Sequence, residues 1–369
     1  MKDELILLIN GRTHQGWNSV SITRSIEQGT HRFNVSLTEQ AQSVNQPHLI
    51  QPGAACQLYA GEELVTSGYI DDIERSYDST QHSASISGRS KLADLVDCSS
   101  TGKQQTKGRS LKDVATTLCQ PFGIDVKVDP SATEATKILS KDSTLDNGQP
   151  IWEFLEQLAR QTGVLLISDA DGNLLITRTR TQETDTAINL GTNVTSASGS
   201  FSHRDLFSEY IVTGQHPNIN GQDARDNQSR GSFKTGRGRY RPTVISADNP
   251  VDNEECKRLA QWHNNVRRGR SETITYTLSG WRQTATGRLW TPNELINVND
   301  AVLGLKDTRL LITEVTFSAN NQGTTTRLKL MSPKAFLLPE TGKTPVVSQP
   351  APAADPHSGA AFDEAGYFI

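Results

Sequence analysis

The spacing of apolar residues along this chain changes period twice, from two to about 3.6 and back to two, so neither an all-helical nor a simple all-β fold accommodates the whole. Up to about residue 98, alternation dominates: Val20 and Ile22, then Phe33, Val35 and Leu37, recur at every second position, which buries one face of a strand. Further strand-like runs fall at Cys56–Tyr59, Leu64–Ile73 and Ser83–Gly88, separated by Pro52-Gly53 and Ala60-Gly61-Glu62. Residues 1–98 are therefore expected to form a small antiparallel barrel or sandwich.

From 99 to 185 the helical period takes over. Ser110 caps a predicted helix whose apolar face is Leu111, Val114, Ala115 and Leu118, and Pro121 with Gly123 ends it before a strand at Ile124–Val128. A second unit repeats the grammar, with Pro150 at the start, Ile151, Phe154, Leu155, Leu158 and Ala159 on one face, and Gly163 at the end. A hairpin follows, Val164–Ser168 and Asn173–Thr177, so this stretch reads as a small α/β insert. Alternation returns over 186–338, at Tyr210–Thr213, Ile274–Leu278, Leu295–Val298, Leu310–Phe317 and Thr325–Leu330. A polar loop (Gln215–Tyr240) and a helix over about 250–268 interrupt it. Residues 339–369, rich in Pro, Ala, Ser and Gly, are expected to be a flexible tail, because such a composition buries too little apolar surface to offset ordering entropy.

The fold class is thus mainly β with an α+β insert. Three hundred and sixty-nine residues suit several domains, and 34% hydrophobic with 21% charged residues describes a soluble, somewhat polar protein. A net charge of -4 argues against a chain whose main task is neutralising phosphates. Cys56, Cys98, Cys119 and Cys256 lie far apart, form no C-x-x-C pair, and are expected to be buried thiols. The run Leu5–Ile9 after Met1-Lys2-Asp3-Glu4 is too short and too acidic for a secretory signal, and no apolar stretch is long enough to span a bilayer. Folding in the host cytoplasm, without membrane insertion, is the expectation.

Few motifs carry chemistry. Asp169-Ala170-Asp171-Gly172-Asn173 resembles the start of a calcium loop, but its Gly comes two positions early and Arg180 stands where a bidentate Glu belongs, so a hairpin turn is the better reading. Asp71 and Asp72 would point to opposite faces of a strand, and a shared acid–base site would need a bulge there. The eight histidines are dispersed, and His263 beside Trp262 suits helix packing better than metal ligation. Nucleophile-elbow, phosphate-loop and dinucleotide-binding motifs are absent from the sequence, and no cofactor is expected. One loop, Gly236-Arg237-Gly238-Arg239-Tyr240-Arg241, gathers cations around an aromatic ring. Arg237, Arg239, Tyr240 and Arg241 are candidates either for lining a channel or subunit contact or for gripping phosphate or a base. Arg267, Arg268 and Arg270 end the third helix, where cations favour the macrodipole. Trp17, Trp281 and Trp290 are candidate interface anchors if exposed, although ordinary core is favoured for each.

Four stretches carry a family resemblance: Gly16-Trp17-Asn18-Ser19-Val20-Ser21-Ile22-Thr23-Arg24-Ser25-Ile26-Glu27, Ala93-Asp94-Leu95-Val96-Asp97-Cys98, Phe207-Ser208-Glu209-Tyr210 and Arg239-Tyr240-Arg241-Pro242. With them the chain, from about residue 10 to 338, resembles the baseplate hub proteins of Mu-like phages, within the wider tail hub and late-control D group. Units such as Ile151–Ile176 are also similar to the hub-like part of type VI secretion spike proteins. The resemblance implies two similar β-barrels per chain and a homotrimeric torus with a central channel. It also implies partners: a six-fold tail tube protein above, a three-fold spike protein below, a tape measure protein, and DNA in passage. It assigns no catalytic residue. The competing expectations are a hub of a related injection device, such as a tailocin or a type VI-like machine, and a tail-associated cell-wall hydrolase. The latter lacks a spare segment of domain size.

Overall fold

The computed structural model describes residues 4–40, 50–77, 81–139, 142–215, 228–236, 239–247, 251–284 and 287–336. The first β region comprises β1 (Leu5–Ile9), β2 (Arg12–His14), β3 (Ser19–Ser25), β4 (Arg32–Gln40), β5 (Ala55–Ala60), β6 (Glu63–Tyr77) and β7 (Gln81–Ser90). Alternation is obeyed: Val20 and Ile22 on β3, and Phe33 and Val35 on β4, are buried while their neighbours face outward.

The α/β unit contains α1 (Ala93–Asp97), β8 (Gln104–Gln105), α2 (Leu111–Cys119), β9 (Val126–Val128), β10 (Thr144–Leu145), α3 (Ile151–Thr162), β11 (Leu165–Ser168) and β12 (Leu174–Thr177). Its own core runs from Leu92 to Ile176 and centres on Leu111, Val114, Phe154, Leu155 and Leu158. Ser110 and Asp113 form a reciprocal capping box on α2, and Gly163, at φ 73°, ends α3 in the left-handed conformation that costs glycine least.

The last third holds β13 (Ile188–Asn189), β14 (Val194–Phe201), β15 (Glu209–Gln215), β16 (Gln228–Lys234), β17 (Pro242–Ser246), α4 (Asn253–Arg270), β18 (Glu272–Ser279), β19 (Leu295–Asp300), β20 (Leu305–Asn320) and β21 (Gly323–Met331). Here the sequence reading needs correcting in two places. Tyr210–Thr213 does not join the main β region; β15 is the middle of a separate sheet, β16-β15-β17, covered by α4 through Tyr210, Val212, Cys256 and Ala260. Gln215–Tyr240 is not all loop, since β16 lies within it; its alternating buried Ser229 and Gly231 are too small to register as an apolar period. Gly231 is required there, because a Cβ would come within 2.3 Å of the Lys257 backbone nitrogen on α4.

The two outer β regions are hydrogen-bonded into one 13-stranded sheet in the order β14-β18-β21-β20-β3-β4-β7-β6-β5-β1-β2, with β19 on β20 and β13 on β19. The seam is β3 against β20, from Glu314 opposite Ser25 to Ala319 opposite Val20. One continuous apolar core lies along both regions, from Leu5 and Ile86 to Trp290 and Leu330.

Within that sheet a five-strand pattern occurs twice. β3-β4-β7-β6-β5 and β14-β18-β21-β20-β19 share spatial order, chain order and antiparallel sense. The register breaks match as well: β6 bulges against β7 between Ile70 and Asp72, and β20 bulges against β21 between Ile312 and Glu314. Each long strand also breaks register with its preceding hairpin partner, next to Thr66 in β6 and Thr308 in β20. Bulges re-aim a strand, so the long strand of each lobe is re-aimed at the corresponding place. The lobes differ at one connection, β3 and β4 being joined by a short turn and β14 and β18 through the whole β15–β17 and α4 module, and beyond the fifth strand, where β1 pairs antiparallel with β5 but β13 parallel with β19.

Candidate interaction surfaces

The arginine-rich loop is held at its C-terminal end. The Arg241 N–H donates to the Ser208 hydroxyl at 2.8 Å, and Ser208 N–H donates back to the Arg241 carbonyl at 2.9 Å. The Arg241 guanidinium donates to the carbonyls of His203 (2.9 Å) and Arg204 (2.7 Å) and lies 5.2 Å from the Phe207 ring centroid, with Arg267 at the same distance from that ring. Two stretches singled out from the sequence, Phe207–Tyr210 and Arg239–Pro242, are thus neighbours in space, paired as parallel strands from Glu209 and Pro242 onward. Arg239 and Tyr240 project from this support, Tyr240 being 85% exposed. Arg237 lies outside the described residues. Beside the loop, Ser202, Asp205, Trp262, His263, Val266, Arg267, Arg270 and Ser271 line an open cleft of about 350 Å³. His263 packs edge-on against Trp262, ring centroids 4.6 Å apart.

Of the acidic candidates, Asp71, Asp169 and Asp171 are held in ion pairs, and Asp72 is exposed on β6. A bulge does occur at Asp71, but both its carboxylate oxygens accept from Arg89, at 2.7 and 3.2 Å, and Arg89 also binds Asp97 on α1 at 2.7 Å. Arg89 holds the Asp97 carboxyl below its usual range. This clamp fastens the first lobe to the α/β unit. Lys127 bridges Asp169 (2.6 Å) and Asp171 (3.1 Å), while Asp169 accepts from the Asn173 N–H, so that segment is a hairpin turn. No group of three or more metal-ligating side chains gathers among the described residues.

The tryptophans are core. Trp281 and Trp290 are each 1% exposed and Trp17 packs partly buried against the main cluster, so none is an exposed anchor. Cys56 and Cys119 are buried, and burial pushes both thiols up to about 12; Cys98, expected to be buried, is exposed at the end of α1.

The surfaces best suited to assembly were not legible as motifs. β14 is exposed from Thr195 to Phe201, and its outer edge pairs with no strand among the described residues. β6 outruns its partner β5, whose pairing begins at Ala55 opposite Tyr69, which leaves the outer edge of Asp72–Tyr77 without a strand among the described residues. Each carries an exposed aromatic, Phe201 at 57% and Tyr77 at 85%. Unpaired edges are normally blunted by charge or proline; β14 carries neither and invites a partner, whereas Asp72, Glu74 and Arg75 charge the β6 edge, so a strand that pairs there must suit them.

Comparison with known proteins bears on this arrangement. Family models match along the chain: "Mu phage baseplate assembly protein GpP-like, N-terminal" over residues 4–90, "Baseplate hub protein gp44-like, second domain" over 92–178, and "Mu phage baseplate assembly protein GpP, fourth domain" over 252–340. The baseplate hub protein gp44 of Escherichia phage Mu is 33% identical over 354 residues, covering 92% of this chain and 90% of the relative. The crystal structure of the 43 kDa tail protein of prophage MuSo2 from Shewanella oneidensis superposes with a TM-score of 0.81 at 34% identity, covering 91% of this chain and all of that one. The E. coli c3393 protein, a type VI secretion component, shares the fold at a TM-score of 0.55 and 11% identity, over 88% of this chain and 76% of its own.

Proposed function

The chain belongs to the Mu-like phage baseplate hub proteins, structural components of the tail, and from that membership we propose that it acts as a homotrimeric symmetry adaptor in a contractile tail. A six-fold tube and a three-fold spike cannot make equivalent contacts unless the piece between them offers six similar surfaces on one side and three on the other. The observation that carries this reading is the doubled five-strand pattern with its matched bulges. Two such lobes per chain, closing as barrels around one axis, give three copies six quasi-equivalent lobes enclosing a channel.

On this reading the partners are the tail tube protein on the six-lobed face and the spike protein on the other. The tape measure protein and then DNA would pass through the channel. The loop carrying Arg237, Arg239, Tyr240 and Arg241 serves as a contact surface, Arg241 pinning the support while Arg239 and Tyr240 reach outward. The chain performs no catalysis, an assignment supported by the structural naming of its relatives and by the ion pairs that occupy Asp71, Asp169 and Asp171. Assembly takes place in the host cytoplasm and the finished protein resides in the tail baseplate.

Light scattering coupled to size exclusion tests the proposal. A species of three chain masses at micromolar concentration is expected, and a stable monomer there would overturn it. Release of soluble fragments from purified peptidoglycan would overturn the non-enzymatic assignment.

A further inference from the structure

The seam between the lobes inside one chain is a join of defined type: the first strand of one lobe, β3, lies antiparallel on the distal half of the long strand of the other, β20. That contact is buried, with Val20 and Ile22 at 4% and 0% exposure and Val315 and Phe317 at 0% and 1%. The strands that correspond to these two in the opposite lobes are β14, which matches β3, and β6, which matches β20. They are the two edges left without a partner strand among the described residues; β14 is exposed from Thr195 and β6 from Glu74 where their counterparts are buried, while Ile73 is half-buried against the main core. Among the described residues, every chain therefore contains one complete join and two halves of a second that are not joined to each other or to another strand.

We propose that β14 of one copy pairs antiparallel with the distal half of β6 of the next copy, in the register of the internal seam. The bulges fix that register. Ile312 corresponds to Ile70 and Glu314 to Asp72, so the stretch Glu314–Ala319 corresponds to Asp72–Tyr77. Tracing β3 to β14 through the pairings of β4 with β7 and of β18 with β21 sets Val20 to Ala197, Ile22 to Gly199 and Ser25 to Ser202, one residue past the end of β14. Asp72 then faces Ser202, Ile73 faces Phe201, Glu74 faces Ser200, Arg75 faces Gly199, Ser76 faces Ser198 and Tyr77 faces Ala197.

Chemistry supports this register residue by residue. On one face the internal seam sets Glu314 against Ser25, Thr316 against Thr23, with hydroxyls 3.2 Å apart, and Ser318 against Ser21. The proposed joint sets Asp72 against Ser202, Glu74 against Ser200 and Ser76 against Ser198, again short polar side chains with an acid at the same end. On the other face Tyr77 stands opposite the small Ala197 and Phe201 meets Ile73 as an apolar cross-strand pair, while Arg75, opposite Gly199, keeps its guanidinium on the Ile50 carbonyl at 2.8 Å. A one-residue slip would exchange the two faces and bring Phe201 onto acidic neighbours. Such a joint is head-to-tail, so it closes only as a ring. The copy number rests on the trimeric reading above; the register does not.

Cysteine cross-linking of the full chain tests the joint. In a Cys98→Ser background, which removes the exposed native thiol, Ser76→Cys and Ser198→Cys are introduced together and the protein is oxidised. The expected result is a non-reducing ladder of two and three chains with more than half the protein linked. Moving one partner to Ser200→Cys should cut that yield at least five-fold, and mixing the two single variants should give linked pairs that neither gives alone. A trimer by light scattering without the Ser76–Ser198 link, or with equal linking at Ser200, would overturn the strand joint while leaving the trimer standing. A monomer without links would overturn both.

Discussion

His31 shows how far burial can move a titratable group in this protein. It is 2% exposed, its Nδ1 lies 3.1 Å from the Thr66 hydroxyl, and its own N–H donates to Ser90. Burial, with the Arg24 charge nearby, holds its pKa well below the ordinary value, so the folded state keeps the imidazole neutral. In the unfolded chain His31 titrates near 6.5. Below that pH the unfolded state gains a proton the folded state refuses, so stability falls as pH drops, by up to about 1.4 kcal/mol per pH unit, and levels off above pH 7. Urea midpoints measured from pH 5 to 8 should show this slope, and His31→Gln should flatten it; an unchanged slope would mean other groups carry it. Nothing in the sequence marks His31 as buried, because it sits at the end of the polar turn before β4 and its surroundings come from β6 and β7. By contrast the Ser110–Asp113 cap and the Gly163 stop were readable, since both act within one turn of the chain.

At the scale of elements, close crossings decide which substitutions are tolerated. Gly269 lies inside α4, where alanine would ordinarily stabilise a helix by about 1 kcal/mol. Here a Cβ would come within 2.3 Å of the Ala335 nitrogen in the turn Pro333–Phe336, which packs beneath the helix. Gly269→Ala should therefore destabilise the protein by about 1–3 kcal/mol despite its helix propensity, as read by chemical denaturation. The three main helices were legible from their apolar periodicity, and so were most strands of the main sheet. What could not be read was which strand sits beside which. Alternation says which face of β3 is buried, but the residues opposite it on β20 lie nearly 300 positions away. The doubled pattern was equally hidden, because it consists of strand order and bulge position, with pairs such as Ile70 and Ile312 as isolated traces.

For the molecule as a whole, the seam makes the two lobes one folding unit. Phe317 sits on it, buried in the common core with its ring 6.0 Å from that of Trp281. Phe317→Ala should cost about 3–5 kcal/mol, and hydrogen exchange should show both lobes losing protection together, while α2 and α3 around their separate core are less affected. Independent loss of the second lobe alone would contradict that coupling.

The outgrowth between β14 and β18 has a further consequence. Since the first lobe turns tightly at the corresponding corner, the module of β15, β16, β17 and α4 decorates only every other lobe in an assembled ring. The backbone of such a ring could repeat six times per revolution while its ornament repeats three times. The reduction from hexagonal to triangular would then need no distortion of the wall, only extra chain spliced into one corner.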